Sequence, residues 1–420
     1  MRTGNTNWAG NHVYHASETI EPESVEELQE RVSRTLKLKA LGTRHCFNDI
    51  ADTDAAHVSL ASLNRILELD RDKMTVTIEG GVRYGHLCRF LHERGYALAN
   101  LASLPHISVA GAIATATHGS GVNNGNLATS VEKLDLVAAN GTLYHFSRYK
   151  NANTLPGVIV NLGALGVVAK ITLSIEQSYQ VRQDLYTDLP LSQIDRYLDA
   201  ILSSAYSVSL FTDWTQDSFH QIWLKTRLDQ NPHFAPPSKL YGATLASGKK
   251  HPLPNHDPVN CTEQLGQPGP WHERLPHFRL DYTPSSGEEL QSEYYVPRQY
   301  ASDAVEQLFT LRERIAPHVF VSEIRAIRSD SLWLSPCYQQ DCVAIHFTWK
   351  PKWSEVAQLL PAIESKLEPF QAIPHWGKLS TMPAKQIAER YERFGDFRTI
   401  RGQLDPTDKF QNPFLKRLFA

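Results

Sequence analysis

Cysteine and net charge are both scarce in this chain. Five cysteines occur among 420 residues, odd in number and widely scattered, which argues against a disulfide framework and predicts reduced thiols. The 42 basic and 45 acidic residues leave a formal net charge of −3, so no overall field draws the protein to nucleic acid or to an anionic membrane. The composition therefore favours a small-molecule partner.

Long apolar runs are missing as well. Residues 1–11 lack the apolar core of a secretion signal, and no later run of about 18 apolar residues could span a bilayer. We therefore expect a cytoplasmic protein that uses no membrane, and we expect it to act as a monomer. At 420 residues the chain is long enough for two or three domains of ordinary size.

Metal-ligand spacings and the nicotinamide-binding glycine pattern are also absent. Residues 229–276 are rich in Pro, Gly, His and Asn without a hydrophobic period, which predicts long surface loops. Histidines in or beside this stretch have no Cys or His partner at zinc-site spacing, so we expect no metal; they are His251, His256, His272 and His277. Gly80 to Gly85 misses the Gly-x-Gly-x-x-Gly spacing, which disfavours a nicotinamide dehydrogenase.

Two small-residue segments in the first third of the chain carry the strongest signal. Gly42, Thr43 and Arg44 follow an apolar run and form a turn whose backbone N–H groups can converge on a phosphate, with His45 next to it. His45 could equally be a loop histidine that only packs. The second segment lets backbone approach a flat ring closely and consists of Gly111, Ala112, Ala114, Thr115, Ala116, Thr117, Gly119 and Gly121. Together they indicate a flavin site, although small residues also permit tight packing.

The pattern of helices and strands predicts an α+β protein in two main parts. A capping box at Ser24 opens an amphipathic helix, and Met74 to Glu79 alternates like a strand. The pattern restarts near Gln177 with a new helix and new strands. We therefore expect a cofactor domain over residues 1–176 and a substrate domain over 177–380.

Two predicted strands near the end of the second domain each present a polar pair. Alternation puts Glu323 and Arg325 on one face of their strand, and His346 and Thr348 opposite an apolar face on theirs. If these strands are neighbours in an antiparallel sheet, the four groups form a patch suited to adjacent hydroxyls of a polyol. A solvated sheet face is the alternative. Lys378 follows a predicted helix kinked or interrupted at Pro361, and it joins the patch from a structured loop.

These motifs, in this order, resemble the alditol oxidases among the vanillyl-alcohol-oxidase type flavoproteins. The resemblance rests on the phosphate loop, Pro105 to Gly111, Glu323-x-Arg325, His346-x-Thr348 and His375 to Lys378, and it covers nearly the whole chain. It implies a two-domain fold with a large antiparallel sheet, and a C-terminal segment, residues 381–420, that returns to the FAD domain.

The resemblance also implies roles for individual residues. His45 would be the covalent FAD anchor, Ser108 would contact flavin and substrate, and the polyol would meet Glu323, Arg325, His346, Thr348 and Lys378. The implied FAD contacts are Leu41, Gly42, Thr43, Arg44, His45, Cys46, Ser108, Gly111, Ala116, Thr117, His118, Gly119, Val168 and His375. Cys46 stands where close relatives are expected to carry Ser, which leaves a redox role for this thiol open.

The implied reaction is oxidation of the terminal primary alcohol of xylitol or sorbitol to the aldose. Hydride would pass to flavin N5 and O₂ would reoxidise the flavin, giving H₂O₂. His346 could accept the alcohol proton because its ordinary pKa is near neutrality, but the residues alone do not assign the base. Two alternatives stay open: a sugar-1,4-lactone oxidase or dehydrogenase, and a non-catalytic carbohydrate-binding flavoprotein.

Overall fold

The computed structural model describes residues 5–281 and 288–420 of the chain. Its strands in chain order are β1 Glu18–Ile20, β2 Leu38–Leu41, β3 Ala56–Ser59, β4 Ile66–Asp70, β5 Thr75–Glu79, β6 Tyr96–Ala97, β7 Val131–Val137, β8 Leu143–Ser147, β9 Val167–Ser174, β10 Glu176–Gln177, β11 Gln180–Pro190, β12 Ser207–Thr212, β13 Ser218–Arg227, β14 Lys239–Leu240, β15 Ala243–Leu245, β16 Gly269–Pro270, β17 Leu290–Pro297, β18 Val319–Ile327, β19 Cys342–Trp349 and β20 Ile373–Pro374. Its α-helices are α1 Val25–Arg34, α2 Tyr84–His92, α3 Val109–Ala114, α4 Leu155–Ile159, α5 Ile194–Leu202, α6 Ala301–Phe309, α7 Arg312–Ile315, α8 Trp353–Leu367, α9 Ala384–Glu389, α10 Phe394–Leu404 and α11 Pro413–Phe419.

The N-terminal strands other than β6 form two sheets, and β6 pairs with β10 in a separate two-stranded sheet. The strands β1, β3 and β2 pair in parallel, and β4, β5, β9, β7 and β8 form an antiparallel sheet in that order. Helix α1 begins as its capping box predicts: the Glu27 N–H donates to Ser24 Oγ at 3.0 Å, which satisfies one open end of the helix. Leu28 and Val32 on its inner face are fully buried. The loop after β2 is thus held against a packed core.

A ten-stranded antiparallel sheet dominates the rest of the chain. Its order is β14, β15, β11, β13, β12, β18, β19, β17 and β20, with β16 paired to β11 at the side. One face packs against α5, α6 and α8 and is apolar, because alternate residues such as Ile222, Ile324 and Ile345 point into that core. The same alternation sends the intervening residues, many of them polar, to the opposite face. That face carries the site.

Several sequence predictions can be compared with these elements. The strand predicted at Val321–Ile327 begins two residues earlier, at Val319, and the one predicted at Cys342–Trp349 has those bounds. Pro361 lies inside α8, which continues through it as one helix, so the predicted interruption is wrong and the alternative, a kink, stays a prediction. The prediction of surface loops over residues 229–276 is wrong in part, since Trp271 is fully buried.

The C-terminal segment lies against the N-terminal part of the chain. The Asn412 side-chain amide donates to the carbonyls of Asp49, Ile50 and Asp52, and Leu38 N–H donates to the Lys409 carbonyl at 3.0 Å. Strands up to residue 174 lie outside the large sheet, whereas strands from residue 180 to 374 belong to it. The division at residues 176 and 380 stays a prediction.

Candidate active site

Three titratable side chains stand in a row across neighbouring strands of the large sheet. In the register of the sheet, His346 on β19 is directly opposite Glu323 on β18 and Glu293 on β17. Opposite residues in an antiparallel pair project from the same face, with Cβ atoms about 5 Å apart. All three are buried, with 7, 6 and 1% of their surfaces exposed, respectively. The row is therefore a compact polar cluster and not a solvated sheet face.

Glu293 binds more partners than either neighbour. Its Oε2 accepts from Lys378 Nζ at 2.7 Å, and its Oε1 lies 3.0 Å from His118 Nε2 and 3.2 Å from Arg325 Nη2. Burial alone would raise the pKa of Glu293, but Lys378 and His118 hold it well below the usual range. Glu293 was absent from the sequence-predicted site, although a carboxylate alternating with the apolar Tyr294 face of a strand was a usable signal.

Glu323 has a different partner, His277. The His277 Nε2 lies 2.7 Å from Glu323 Oε1, and Arg325 Nε approaches the same oxygen at 3.5 Å. Burial would raise the pKa of Glu323, yet Arg325 and His277 keep it well below its ordinary value. The sequence pattern predicts that His277 lies within or beside a surface loop. In the fold it is buried, because the chain after Trp271 folds across the sheet.

His346 lies between the two carboxylates and is held neutral. Burial, and then the ammonium of Lys378, lowers the pKa of His346 well below 6.5. Its Nε2 is buried without a hydrogen-bond partner among the described residues, and so is Nε of Arg325. The pKa of Arg325 is raised in spite of burial by Glu323 and Glu293. The unpaired, neutral imidazole keeps a lone pair that can accept a proton, while the neighbouring cations lower its basicity.

The remaining predicted substrate residues are brought to the same face. Thr348 lies two positions along β19 and is 7% exposed, and Lys378 arrives from the loop after β20. Arg325 Nη1 also lies 3.4 Å from Ser103 Oγ, which links the sheet to the segment that leads into α3. The predicted polar patch is thus assembled as its strand pattern indicated.

The loop from Gly42 to Cys46 has an open face. Gly42 is exposed and the next four residues are partly exposed, and Arg44 has a left-handed φ of 63°. The His45 ring stacks on Trp8 with centroids 5.4 Å apart, and its Nδ1 lies 2.8 Å from the Thr43 carbonyl. Burial lowers the pKa of His45 to about 4, so the imidazole is neutral at neutral pH.

The start of α3 faces this loop closely. Ser108 Oγ is buried without a partner among the described residues, and a Cβ on Gly42 or Gly111 would lie 3.0 or 2.9 Å from it. Ala116 has a left-handed φ of 54°, and Thr117 follows it. A hydroxyl without a partner that lies between two glycines, where a Cβ would crowd it, fits a flat cofactor lying along the backbone.

The other predicted FAD contacts have mixed surroundings. His118 Nδ1 lies 2.7 Å from the Gly119 carbonyl, so with Glu293 both ring nitrogens face protein oxygens. His375 stacks parallel to Tyr295, with centroids 6.2 Å apart, and its Nδ1 accepts from Gly377 N–H. Val168 is buried in β9, where its carbonyl limits the space at Gly80, and Leu41 ends β2. The side chain of His118 therefore contacts the polar row through Glu293.

Comparison with known proteins decides the family. Residues 16–147 match a family model described as an FAD binding domain, and residues 287–418 match one described as D-arabinono-1,4-lactone oxidase. An alditol oxidase from a Streptomyces strain is 44% identical over 422 residues, covering 100% of this chain and 99% of the relative. The chain belongs to the alditol oxidase family. It is an FAD-dependent oxidoreductase, and the predicted cofactor is confirmed as FAD.

More distant relatives of this alditol oxidase family member align with nearly its whole length. L-gulonolactone oxidase from Bos taurus is 28% identical, covering 98% of this chain and 97% of its own length. The solved structure of a solvent-stable cholesterol oxidase superposes with a TM-score of 0.78 at 15% identity, covering 99% of this chain and 97% of that one. This likeness confirms the predicted α+β fold of the vanillyl-alcohol-oxidase type.

Two further findings concern metals and membranes. Within residues 5–281 and 288–420, no three His, Cys, Asp or Glu side chains are grouped so that they could hold a metal ion. In the same ranges no helix combines the length and apolarity needed to cross a bilayer.

Proposed function

We propose that this protein oxidises the terminal primary alcohol of alditols, with xylitol and sorbitol as substrates, to the corresponding aldose. The observation that carries the proposal is the buried row of Glu293, His346 and Glu323, flanked by Arg325 and Lys378. Two carboxylates that stay ionised and two cations offer acceptors and donors to several neighbouring hydroxyls at once. The name of the 44% identical relative, alditol oxidase, supports the same substrate class.

His346 is proposed to take the proton of the reacting hydroxyl. It is neutral, its Nε2 has no partner among the described residues, and Lys378 and Arg325 lie nearby to stabilise developing negative charge on oxygen. Bound FAD would supply the hydride acceptor, N5, and pass the electrons to O₂, which yields H₂O₂. Glu323 and Thr348 are proposed to orient the rest of the polyol chain.

FAD would be held by the loop of residues 41–46 and by the segment from Ser108 to Gly119. We propose that His45 anchors it covalently, because a neutral imidazole keeps a lone pair for a new bond and the Trp8 ring holds it in place. We further propose that the protein works as a cytoplasmic monomer. Size-exclusion chromatography with light scattering would test the monomer.

A peroxide assay over C3 to C6 alditols tests the proposed function. Sites built to hydrogen-bond hydroxyls reject substrates that lack them, since buried polar groups are then left unpaired. We expect kcat/KM for xylitol or sorbitol to exceed that for ethanol by about 10⁴-fold, with glycerol between them. Equal values for ethanol and xylitol would contradict the proposal.

A sugar-1,4-lactone is the second candidate substrate. The match of residues 287–418 to the D-arabinono-1,4-lactone oxidase model favours it. A lactone panel assayed with O₂ and with an artificial electron acceptor decides between the two. Anaerobic bleaching of the flavin, by a polyol for an alditol oxidase or by a lactone for a lactone oxidase, separates either enzyme from a carbohydrate-binding protein without turnover, because only an enzyme reduces its flavin.

A further inference from the structure

A chain of three buried polar side chains leads from β13 into the site. Lys225 Nζ lies 3.0 Å from His277 Nδ1, and His277 Nε2 lies 2.7 Å from Glu323 Oε1. Lys225 and His277 are 1 and 5% exposed. Neither Lys225 nor His277 has a part in the reaction proposed above. His277 nevertheless connects the buried ammonium of Lys225 to Glu323, the carboxylate that is proposed to orient the substrate.

The donors and acceptors in this chain set the direction of every hydrogen bond. An ammonium group only donates, and Lys225 Nζ has three acceptors in reach: the carbonyls of Leu275 and Pro276 and the His277 ring. Nδ1 of His277 must therefore carry the lone pair, and Nε2 must carry the proton. That proton is donated to Glu323. The charge of Lys225 thus selects the imidazole tautomer that the carboxylate needs.

The imidazole is also fixed in orientation. Its ring makes edge contacts with Trp223 and Phe211, with centroids 5.1 and 5.7 Å apart. The backbone around it is tied down by Thr262, whose N–H donates to the His277 carbonyl at 2.9 Å. Within the described residues both contacts of Glu323 fall on Oε1. Oε2 is therefore left to accept from a substrate hydroxyl.

We propose that Lys225 and His277 are positioning residues that hold Glu323 ionised and aimed at a substrate hydroxyl, and that they thereby set the affinity for polyol. This inference rests on the proposed function, since it concerns the same site. If Lys225 loses its proton, its amine can accept from Nδ1–H, and the imidazole then turns a lone pair toward the Glu323 carboxylate. Polyol binding weakens in that state.

Among the ionisable groups that surround it, Lys225 is the one whose pKa lies near neutrality. Burial lowers the pKa of Lys225 to about 7, opposed by Glu323 and reinforced by Arg325. Burial and Lys225 lower the pKa of His277 to about 4, and burial raises that of Cys261 to about 12. Glu323 stays ionised and Arg325 stays charged over the same range. The ammonium of Lys225 therefore predominates below about pH 7 and the amine above it.

The test is the pH dependence of KM for xylitol between pH 6 and 9, measured with the FAD-loaded enzyme. The wild type should show KM rising with pH through the titration of Lys225. Lys225→Met should raise KM at pH 6 by about tenfold or more, as expected for a lost bond to a charged group, and should flatten the rise. Lys225→Arg, which keeps the charge, should keep KM low across the range. kcat should change much less than KM.

Matched variants separate positioning from loss of structure. Lys409→Met removes another buried lysine that donates to backbone carbonyls, those of Val32 and Ser33, and should leave KM and its pH dependence unchanged. His277→Gln can still accept from Lys225 and donate to Glu323, so it should retain low KM, whereas His277→Leu should not. This pair carries the test if Lys225→Met fails to fold.

The outcomes distinguish the proposed positioning of Glu323 by Lys225 and His277, called the relay below, from the proposed function. A wild type that oxidises no polyol would overturn the proposed function. An active wild type with the same KM and pH profile as Lys225→Met, or a His277→Leu variant equal to His277→Gln, would overturn the relay alone. The pKa of Lys378 is also lowered by burial. If KM still rises with pH in Lys225→Met, the pH dependence of KM belongs to Lys378, and the relay is contradicted.

Discussion

Glu293 lies at the centre of the site because three nitrogen groups converge on its two oxygens. Lys378, His118 and Arg325 come from three separate stretches of the chain, and Glu293 is 1% exposed. Removing one member of such a buried cluster leaves the others uncompensated, so each residue depends on the rest. At the scale of single residues, the site consists of charges that are stable only as a group.

The covalent anchor is a prediction about one residue. Acid-precipitated wild-type protein should stay yellow, and His45→Ala should release its FAD into the supernatant, because the proposed bond is to that imidazole. Cys46→Ser is the matched control from the same loop and should keep its colour in the pellet. Absorbance of pellet and supernatant near 450 nm is the measurement. A yellow His45→Ala pellet would show that the anchor lies elsewhere.

At the scale of structural elements, hydrogen bonds join two loops that belong to distant parts of the chain. Asn48 donates to the carbonyls of Trp376 and Lys378 at 2.8 and 2.9 Å, and Phe47 N–H donates to the Gly377 carbonyl at 2.7 Å. The loop proposed to hold FAD and the loop that delivers Lys378 are therefore one mechanical unit. This coupling would fix the position of the cofactor relative to Lys378, the cation proposed to bind the substrate.

The coupling predicts the effect of Asn48→Ser. Serine can still cap the 3-10 turn that Asn48 opens by accepting from Ile50 N–H, but it cannot reach both carbonyls. We expect kcat/KM for xylitol to fall by about tenfold, from two lost hydrogen bonds that position Lys378. A double-mutant cycle with Lys378→Met tests it: the combined loss should be smaller than the product of the separate losses. Independent effects would refute the coupling.

For the whole molecule, the important fact is that many histidines are buried and neutral. Burial lowers the pKa of His277 to about 4 and that of His375 to about 3, and it lowers those of His118 and His346 as well. Unfolding would return each to its ordinary value of 6.5. The unfolded chain then binds more protons than the folded chain at mildly acidic pH, so acid favours unfolding.

We therefore predict that the protein loses stability between pH 6.5 and 4. His277 and His375 each contribute up to about 1.4 kcal/mol per pH unit in that window, with stability falling as pH falls, and His118 and His346 act in the same direction. Glu293 and Glu323, whose folded pKa values are depressed, add to the loss only below their ordinary 4.5. Urea midpoints measured at pH 7.5, 6.5 and 5.5 check this. A midpoint that is the same at pH 7.5 and 5.5 would contradict it.

Much of the site was predictable because strand alternation is a local rule. The period of two placed Glu323 with Arg325 and His346 with Thr348, and the register of β18 and β19 confirms that the two pairs adjoin. The fold class and the FAD cofactor were predicted from glycine-rich motifs and family resemblance, and both are confirmed. The roles assigned to His45 and to the individual site residues stay predictions.

The sequence by itself determined which residues face the same way along each strand, where the capped helix α1 begins and which loops are rich in small residues, because these depend on neighbours in the chain. Only the tertiary structure decided that Glu293, His277 and Lys225 join the site. His277 and Glu323 are 46 residues apart, and Lys378 and Glu293 are 85 apart. No local period relates such residues: the order of strands in the sheet brings them within hydrogen-bond distance, and burial then sets their charge.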